Sequence, residues 1–206
     1  MSTKVKVLVE TQYFPPIAVF SLLKNENTAL VIEQCENYQK RSYRNKCLIA
    51  ASNGPFPLTV PLLSGKNAQQ IIKDVRIANS EQWQRVHWQA IRSSYGKSPY
   101  FEHYAPYLEP IFTKKHDFLF DLNHQITSLL LKLLKLQAKI EFSETYCLNY
   151  EGNSDIVDFR DGYKILSQLN SNKKYPQVFE DRHGFIPGLS ILDLLFCMGP
   201  NSKLFL

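Results

Sequence analysis

The sequence lacks every short motif that would assign a reaction by itself. It contains no HExxH, GxSxG, GxGxxG or P-loop pattern, so it offers no fingerprint of zinc peptidases, serine hydrolases or the common nucleotide-binding proteins. No stretch reaches the ~18 apolar residues that a membrane-spanning helix needs. The apolar run near the amino terminus is also too short for a signal peptide. We therefore expect a cytoplasmic protein without a membrane span.

Cysteine is scarce, and its spacing does not match the usual metal or redox motifs. The four cysteines are widely separated and form no CxxC pair, which favours reduced, partly buried thiols. Asp117, Asp121 and His124 share one face of a predicted helix, which we interpret as a solvated polar face rather than a metal site. The sequence thus predicts no metal site and leaves the cofactor and the oligomeric state unassigned.

Length and composition indicate one globular domain, which we expect to span residues 1–206. Of the 206 residues, 44% are hydrophobic and 21% are charged, both near the globular norm. The net charge of +5 permits a phosphate-bearing ligand without requiring a polyanion. A nucleic-acid-binding protein would show a longer basic face, so nucleic acid is not an expected partner.

The chain opens with the pattern of a parallel α/β unit. The β-branched run KVKVLVE predicts a strand, Pro15 and Pro16 suit the first turn of the following helix, and TALVIE predicts a second strand. Asn53-Gly54 predicts a hairpin. The fold class is therefore α/β, a single domain with a mixed, partly parallel sheet opened by a strand–loop–helix–strand unit and followed by an α-helical middle region.

Other segments are predicted from periodicity and turn residues. Helices are expected over 81–95, from about residue 98 to 112, and over 116–136, and the apolar LSILDLLFCM predicts a buried helix. Short strands are expected at Asp74 to Ala78 and in AKIEFSE. Polarity rises from Tyr146 to Asp161, which predicts a flexible loop, and a helix is expected near Gly162 to Leu169.

The segment ENYQKRSYRNK carries the densest positive charge. If it is extended, Lys40 and Arg44 share one face, while Arg41 and Asn45 share the other. An edge strand protected by charge would need cations on one face only, whereas arginine grips a phosphate or carboxylate in a fixed plane. Three interpretations remain open here: a solvated edge, a nucleic-acid patch and the anion-binding wall of a small-molecule site.

Five further residues are candidates for a site. Gln12 follows the first predicted strand, where open parallel sheets bind ligands, although a surface glutamine in a turn is the plainer interpretation. His87 lies on an apolar helix face, where a hydrogen-bonded core histidine is more common than a catalyst. Asp193 stands in an apolar helix and must face solvent, pair or serve a site. Tyr95 and Tyr100 cluster after the His87 helix.

Several long motifs resemble one family. TQYFPPIAVFSLL, YQKRSYRNKCLI, LTVPL, WQRVHWQAIRSSYGKSPYFEHY and FIPGLSILDLLFCMG occur in the order seen in the WbqC-like protein family. The resemblance covers Val7 to about Phe142 and Tyr175 to Gly199. Some members lie in O-antigen gene clusters, and a glycine transferase role has been suggested for them. The matching residues are Gln12, Lys40, Arg41, Ser42, Arg44, Asn45, His87, Trp88, Tyr95, Pro99, Tyr100, Phe101, Pro187, Ser190 and Asp193.

Two departures from the family pattern affect the expected substrate. Members commonly carry His-Gln-Pro after the first strand, whereas this chain has Thr11-Gln12-Tyr13, so only the glutamine matches. The stretch from Tyr146 to Leu169 is shorter than in many members and has no Ser-Gly pair. If that stretch contacts the acceptor, this protein differs from those members in its substrate.

The resemblance and the residues together predict a group transferase that acts on a phosphate-bearing activated donor. The transferred group is expected to be glycine or another aminoacyl or acyl group, in surface-polysaccharide biosynthesis. His87 is the expected general acid or base and Asp193 its orienting partner. The predicted substrate-binding residues are Gln12, Lys40, Arg41, Arg44, Asn45, Tyr95 and Tyr100. The alternative is a non-catalytic binding or scaffold protein with a basic, Tyr-rich docking surface, a packed His87 and no deep pocket.

Overall fold

The computed structural model describes residues 5–25, 28–63, 70–150, 155–160 and 173–206. Within these ranges the strands are β1 (Val5–Glu10), β2 (Thr28–Glu33), β3 (Lys46–Ala51), β4 (Gly54–Thr59), β5 (Lys139–Phe142) and β6 (Ile156–Asp158). The helices are α1 (Ile17–Ser21), α2 (Trp83–Tyr95), α3 (Phe101–Thr113), α4 (Leu119–Leu133), α5 (Glu180–His183) and α6 (Ile191–Met198). Two 3-10 helices cover Ile72–Asp74 and Gly199–Leu204.

A four-stranded sheet in the order β5-β2-β1-β6 organises the fold. Every neighbouring pair is parallel, with Val5 opposite Thr28 in the β1–β2 pair. β2 is buried along its whole length, as expected for an apolar strand of a parallel sheet covered on both faces. β2 pairs with one side of β1, and β5 pairs with the far side of β2, whereas β6 pairs with the other side of β1. The strand order therefore reverses between β1 and β6.

The predicted hairpin forms a second, separate sheet. β3 and β4 pair antiparallel, with Ala51 opposite Gly54, and Gly54 has a φ of 104°, a conformation that favours glycine. The parallel and antiparallel strands thus belong to two sheets rather than to one mixed sheet. The predicted fold class, a single α/β domain with a helical middle region, is confirmed.

The loop between β1 and α1 is held against the amino-terminal end of α6. Ile191 N donates to Pro15 O at 3.0 Å, and Ile17 N donates to Leu189 O at 3.3 Å. Ser190 caps α6, since its Oγ accepts from Leu192 N, which satisfies one of the free amides at a helix start. These contacts fix the chain at the carboxyl end of β1.

Three features differ from the sequence predictions or fall outside the described residues. Asp74 to Ala78 forms no ladder but ends a 3-10 helix and makes isolated bridges at Arg76 and Ile77. The loop expected over Tyr146 to Asp161 contains strand β6. The helix expected over Gly162 to Leu169 lies outside the described residues. No helix in the described ranges is both long and apolar enough to cross a membrane.

Candidate functional site

The point where the strand order reverses is the first place to look for a ligand site. Open parallel α/β sheets bind ligands beyond the carboxyl ends of their strands, at such a reversal. Here these ends carry Glu10, Glu33 and Asp158, the last residues of β1, β2 and β6. We call the following set the carboxyl-edge cluster: Glu10, Gln12, Glu33, Glu36, Arg44, Ser143, Asp158 and Arg160.

Gln12 lies at the end of β1, where the sequence predicted it. Its side chain is 3% exposed, and Nε2 donates to Glu10 Oε1 at 3.0 Å. The Glu10 carboxylate accepts this bond, so the amide nitrogen of Gln12 faces Glu10 and Oε1 faces the other way. Oε1 is buried and has no hydrogen-bond donor within the described part of the chain. A buried acceptor without a donor costs roughly 1–3 kcal/mol, so this atom is suited to a ligand that donates a hydrogen bond.

Arg160 joins the ends of β6 and β2. Its guanidinium contacts Asp158 through Nη2 at 2.6 Å and Glu33 through Nη1 at 3.2 Å. Burial alone would lower the pKa of Arg160, but the hydrogen bond to Asp158 and the nearby carboxylates raise it above its usual value. The rings of Tyr146 and Tyr150 each lie 5.2 Å from its Cζ, within cation–π range. Arg160 is therefore a charged, fixed group at the sheet edge.

The basic segment forms a loop with turns after β2 rather than an extended strand. Arg44 is 2% exposed and binds Glu36 through Nε at 2.8 Å and Nη2 at 2.5 Å. Burial alone would lower the pKa of Arg44, but the bond to Glu36 and the charge of Glu10 raise it. Asn45 accepts from Tyr38 Oη at 3.0 Å and donates to Val60 O. Arg44 and Asn45 thus hold the loop in place.

The tip of this loop carries the exposed cations. Lys40 and Arg41 are both exposed, and Arg41 has a φ of 58°. This left-handed conformation costs a non-glycine residue about 1–2 kcal/mol, and such strain is concentrated at binding sites. The loop is tied to the first one because Tyr13 N donates to Tyr43 O at 3.0 Å. The structure therefore brings Gln12, Lys40, Arg41, Arg44 and Asn45 onto two joined loops.

His87 lies inside the protein rather than on the site's surface. It is 4% exposed, its Nδ1 is 2.9 Å from Tyr13 Oη, and it makes a second hydrogen bond to the Thr59 backbone. The Trp83 ring packs edge-on at 5.2 Å between centroids. Burial lowers the pKa of His87 from 6.5 to about 4, so the imidazole is neutral at pH 7. It is connected to the site through Tyr13, the residue after Gln12.

Asp193 belongs to a different cluster from His87. It is fully buried, and its Oδ2 accepts from Tyr175 Oη at 2.7 Å. Burial raises its pKa, although the bonds from Tyr175 and Tyr95 oppose this. Tyr95 Oη also accepts from Ala50 N at 2.9 Å. None of the hydrogen bonds among the described residues joins Asp193 to His87.

Tyr100 is also separate from the carboxyl-edge cluster. It lies between α2 and α3, where its N donates to Phe196 O at 3.0 Å. Its ring contacts the backbone of Gly199 so closely that a Cβ there would lie 2.4 Å from the ring. Of the nine predicted site residues, five meet on the two joined loops, and His87, Asp193, Tyr95 and Tyr100 lie elsewhere.

A cavity of about 230 Å³ opens on the sheet face opposite the main core, beside the carboxyl ends. Leu8 and Val31 form its floor, and Ser143, Thr145 and Tyr150 line the end near the cluster. Ser143 connects the cavity to the site because its Oγ donates to Glu33. Among the described residues no group of three or more His, Cys, Asp or Glu side chains is placed to hold a metal ion.

Sequence reasoning missed the carboxylates and Arg160. Glu10 and Glu33 close two mostly apolar strands. A carboxylate at the end of such a strand indicates a possible site once the sheet is known to be parallel. Arg160 follows IVDF, a run so short that its periodicity does not distinguish a strand from a loop. Its partner Glu33 is 127 residues away, so no local pattern indicates the pair.

The fold and the site define an α/β protein with a polar, mostly buried cluster at a strand-order reversal. The chain belongs to the WbqC-like protein family, which matches residues 11–164. Among curated proteins it is similar to the uncharacterized protein Rv1507c of Mycobacterium tuberculosis, with 24% identity over 95% of this chain and 94% of that relative. No solved structure gives a significant match. The predicted family is thus confirmed.

Proposed function

We propose that the protein is a cytoplasmic group transferase that binds a phosphate-bearing activated donor at the carboxyl edge of the sheet. One observation carries this proposal: the hydrogen bond from Tyr13 N to Tyr43 O joins the Gln12 loop to the basic loop. The buried acceptor and the exposed Arg41 tip therefore follow the neighbouring carboxyl ends of β1 and β2. Both loops lie beyond the carboxyl ends of the strands, on the edge where such sheets bind phosphorylated ligands.

The residues divide into contacting and positioning groups. Arg41 and Lys40 are exposed and hold the donor phosphate, since a guanidinium provides paired donors for phosphate oxygens. Gln12 Oε1 accepts a hydrogen bond from the bound molecule. Arg44 and Asn45 are occupied by Glu36 and by Tyr38 and Val60, so they position the loop without touching the donor.

The proposed reaction transfers glycine or another aminoacyl or acyl group in surface-glycan assembly, as the family resemblance suggests. The acceptor's amine or hydroxyl forms a bond to the carbonyl carbon of the donor. The bond from that carbon to the phosphate oxygen breaks, and the phosphate leaves with the electron pair. The acceptor's proton passes to a base of the site.

His87 stays the predicted general acid or base of this reaction, and Asp193 stays a predicted orienting residue. Both are buried, with exposed fractions of 4% and 0%, so neither touches bulk solvent. In the proposal His87 acts through Tyr13 Oη, 2.9 Å away, and Asp193 orients Tyr95 and Tyr175. Its lowered pKa of about 4 keeps His87 in the neutral, proton-accepting form at pH 7 and makes it a weaker base than a free imidazole.

A ligand screen with matched variants tests the donor site. Thermal-shift measurements against nucleotides, nucleotide sugars and acyl adenylates should reveal a stabilising ligand of the wild type. Lys40→Ala/Arg41→Ala should weaken its binding about tenfold or more, since bonds to charged groups contribute roughly 1.5–3 kcal/mol each. The control Arg85→Ala/Lys114→Ala removes two exposed charges on α2 and after α3 and should bind normally. Unchanged affinity in the loop variant would refute the proposal.

The second candidate function is a non-catalytic binding protein, and the burial of His87 favours it. That alternative predicted a fully packed histidine, and the ring is enclosed by Tyr13 and Trp83. The same screen separates the two functions. A protein that only docks a partner should show no stabilisation by any activated donor and no transfer product with any acceptor.

A further inference from the structure

A second cavity lies at the far end of α4 from the carboxyl edge. Its volume is about 230 Å³, and it opens to solvent between α3, the end of α4 and the 3-10 helix Gly199–Leu204. We call it the lysine pocket after Lys132, Lys135 and Lys203, which line it. Asn123, which donates to Arg44 O, lies nine residues before Lys132, or about 13 Å along the helix. The lysine pocket is thus separate from the site described above.

Among the described residues, three exposed lysines give the lysine pocket its positive charge. No carboxylate lines it, and none of the ion pairs in the described ranges involves its three lysines. Lys132 and Lys135 stand three residues apart, a spacing at which like charges repel. The negative end of α4 offsets part of that repulsion. Lys203 comes from the last turn of the 3-10 helix Gly199–Leu204, so lysines from the ends of two helices line the same cavity.

The walls of the lysine pocket are largely aromatic and apolar. Tyr104 and Tyr107 on α3 line the cavity together with Pro200. Tyr104 is 4% exposed, and burial together with Tyr100 raises its pKa, so its hydroxyl stays protonated. Gly199, with a φ of 53°, lets the 3-10 helix lie against Tyr100. The cavity therefore combines flat rings with ammonium groups.

We propose that the lysine pocket binds a small phosphorylated molecule with a flat apolar body. The ammonium groups contact the phosphate oxygens. The ring of the ligand lies against Tyr104 and Tyr107, because aromatic rings pack favourably against each other. At about 230 Å³ the cavity is smaller than the sites of drug-sized ligands, so the ligand is close to a single ring with one phosphate. The site is independent of the proposed transferase site.

Phenyl phosphate and its uncharged counterpart phenol are the probes that test this inference. In calorimetric titrations at low salt, phenyl phosphate should bind the wild type more tightly than phenol. Lys132→Gln/Lys203→Gln should weaken phenyl phosphate at least about tenfold while leaving phenol unchanged. The control Arg85→Gln/Lys114→Gln alters the net charge equally at distant positions and should bind like the wild type.

A third variant separates ring stacking from charge alone. Tyr107→Ser should weaken phenyl phosphate by a larger factor than inorganic phosphate, because only the former has a ring to stack. Any of three results would overturn the inference: an equal loss of affinity for both ligands in Tyr107→Ser, no binding of millimolar phenyl phosphate by the wild type, or normal binding by Lys132→Gln/Lys203→Gln. Lys40→Ala/Arg41→Ala should not alter this binding, so the two sites succeed or fail separately.

Discussion

The burial of His87 predicts a specific dependence of stability on pH. The folded protein holds the pKa of this imidazole near 4, against an ordinary value of 6.5. The unfolded chain therefore binds more protons than the folded one between these two values. Stability from His87 is fully present above about pH 6.5 and is lost as the pH falls towards 4.

The size of the effect follows from the difference between the two pKa values. Each unit corresponds to about 1.4 kcal/mol, so His87 should remove roughly 3 kcal/mol of the free energy of unfolding between pH 7 and pH 4. The ring is only 4% exposed, so solvent screens it little. Roughly 3 kcal/mol is a large part of the stability of a typical domain.

Urea unfolding of the wild type and of His87→Gln, measured from pH 7.5 to pH 4.5, isolates this effect. Burial raises the pKa values of Glu36 and Asp193, and their contributions to the pH dependence are common to both proteins. The free energy of unfolding of the wild type minus that of His87→Gln should decrease as the pH falls, because only the wild type has an imidazole at position 87 to protonate. A difference that stays constant over this range would refute the reasoning.

Two further predictions concern packing. Arg44→Met should destabilise the protein by about 3–5 kcal/mol in urea unfolding because it leaves Glu36 buried without its partner. The double variant Glu36→Gln/Arg44→Met should be more stable than Arg44→Met alone. The reverse order would contradict the pairing. Gly199→Ala should lower the melting temperature more than Gly54→Ala. Both positions have positive φ, but only a Cβ at Gly199 would meet the Tyr100 ring. Equal decreases in melting temperature would contradict this.

Periodicity and turn residues predicted most of the fold. The opening strand–helix–strand unit, the Asn53-Gly54 hairpin and the helix with Ser190 at its start follow from local patterns, because β-branched runs, proline and cap residues act within a few residues of chain. The predicted strand at Asp74 to Ala78 was wrong. It makes only isolated bridges at Arg76 and Ile77, whose partners Leu62 and Phe118 belong to no strand within the described residues.

The candidate site was predictable only in part. The sequence placed Gln12 and the basic segment at the carboxyl edge, since the order of elements implies where strand ends lie. It did not distinguish Arg41 from Arg44, two residues of one type in one motif. The loop folds so that the guanidinium of Arg44 is buried against the Glu36 carboxylate, whereas Arg41 is exposed at the tip.

The sequence by itself determined the family, the α/β class and the charge at the end of the second strand, because these depend on motifs and periodicity along the chain. Only the tertiary structure decided which charges are paired. Arg160 meets Glu33 through the pairing of β6 with β1 and of β1 with β2, and His87 and Asp193 are directed into separate parts of the interior. Such contacts depend on strand order and packing between distant segments, which no local pattern encodes.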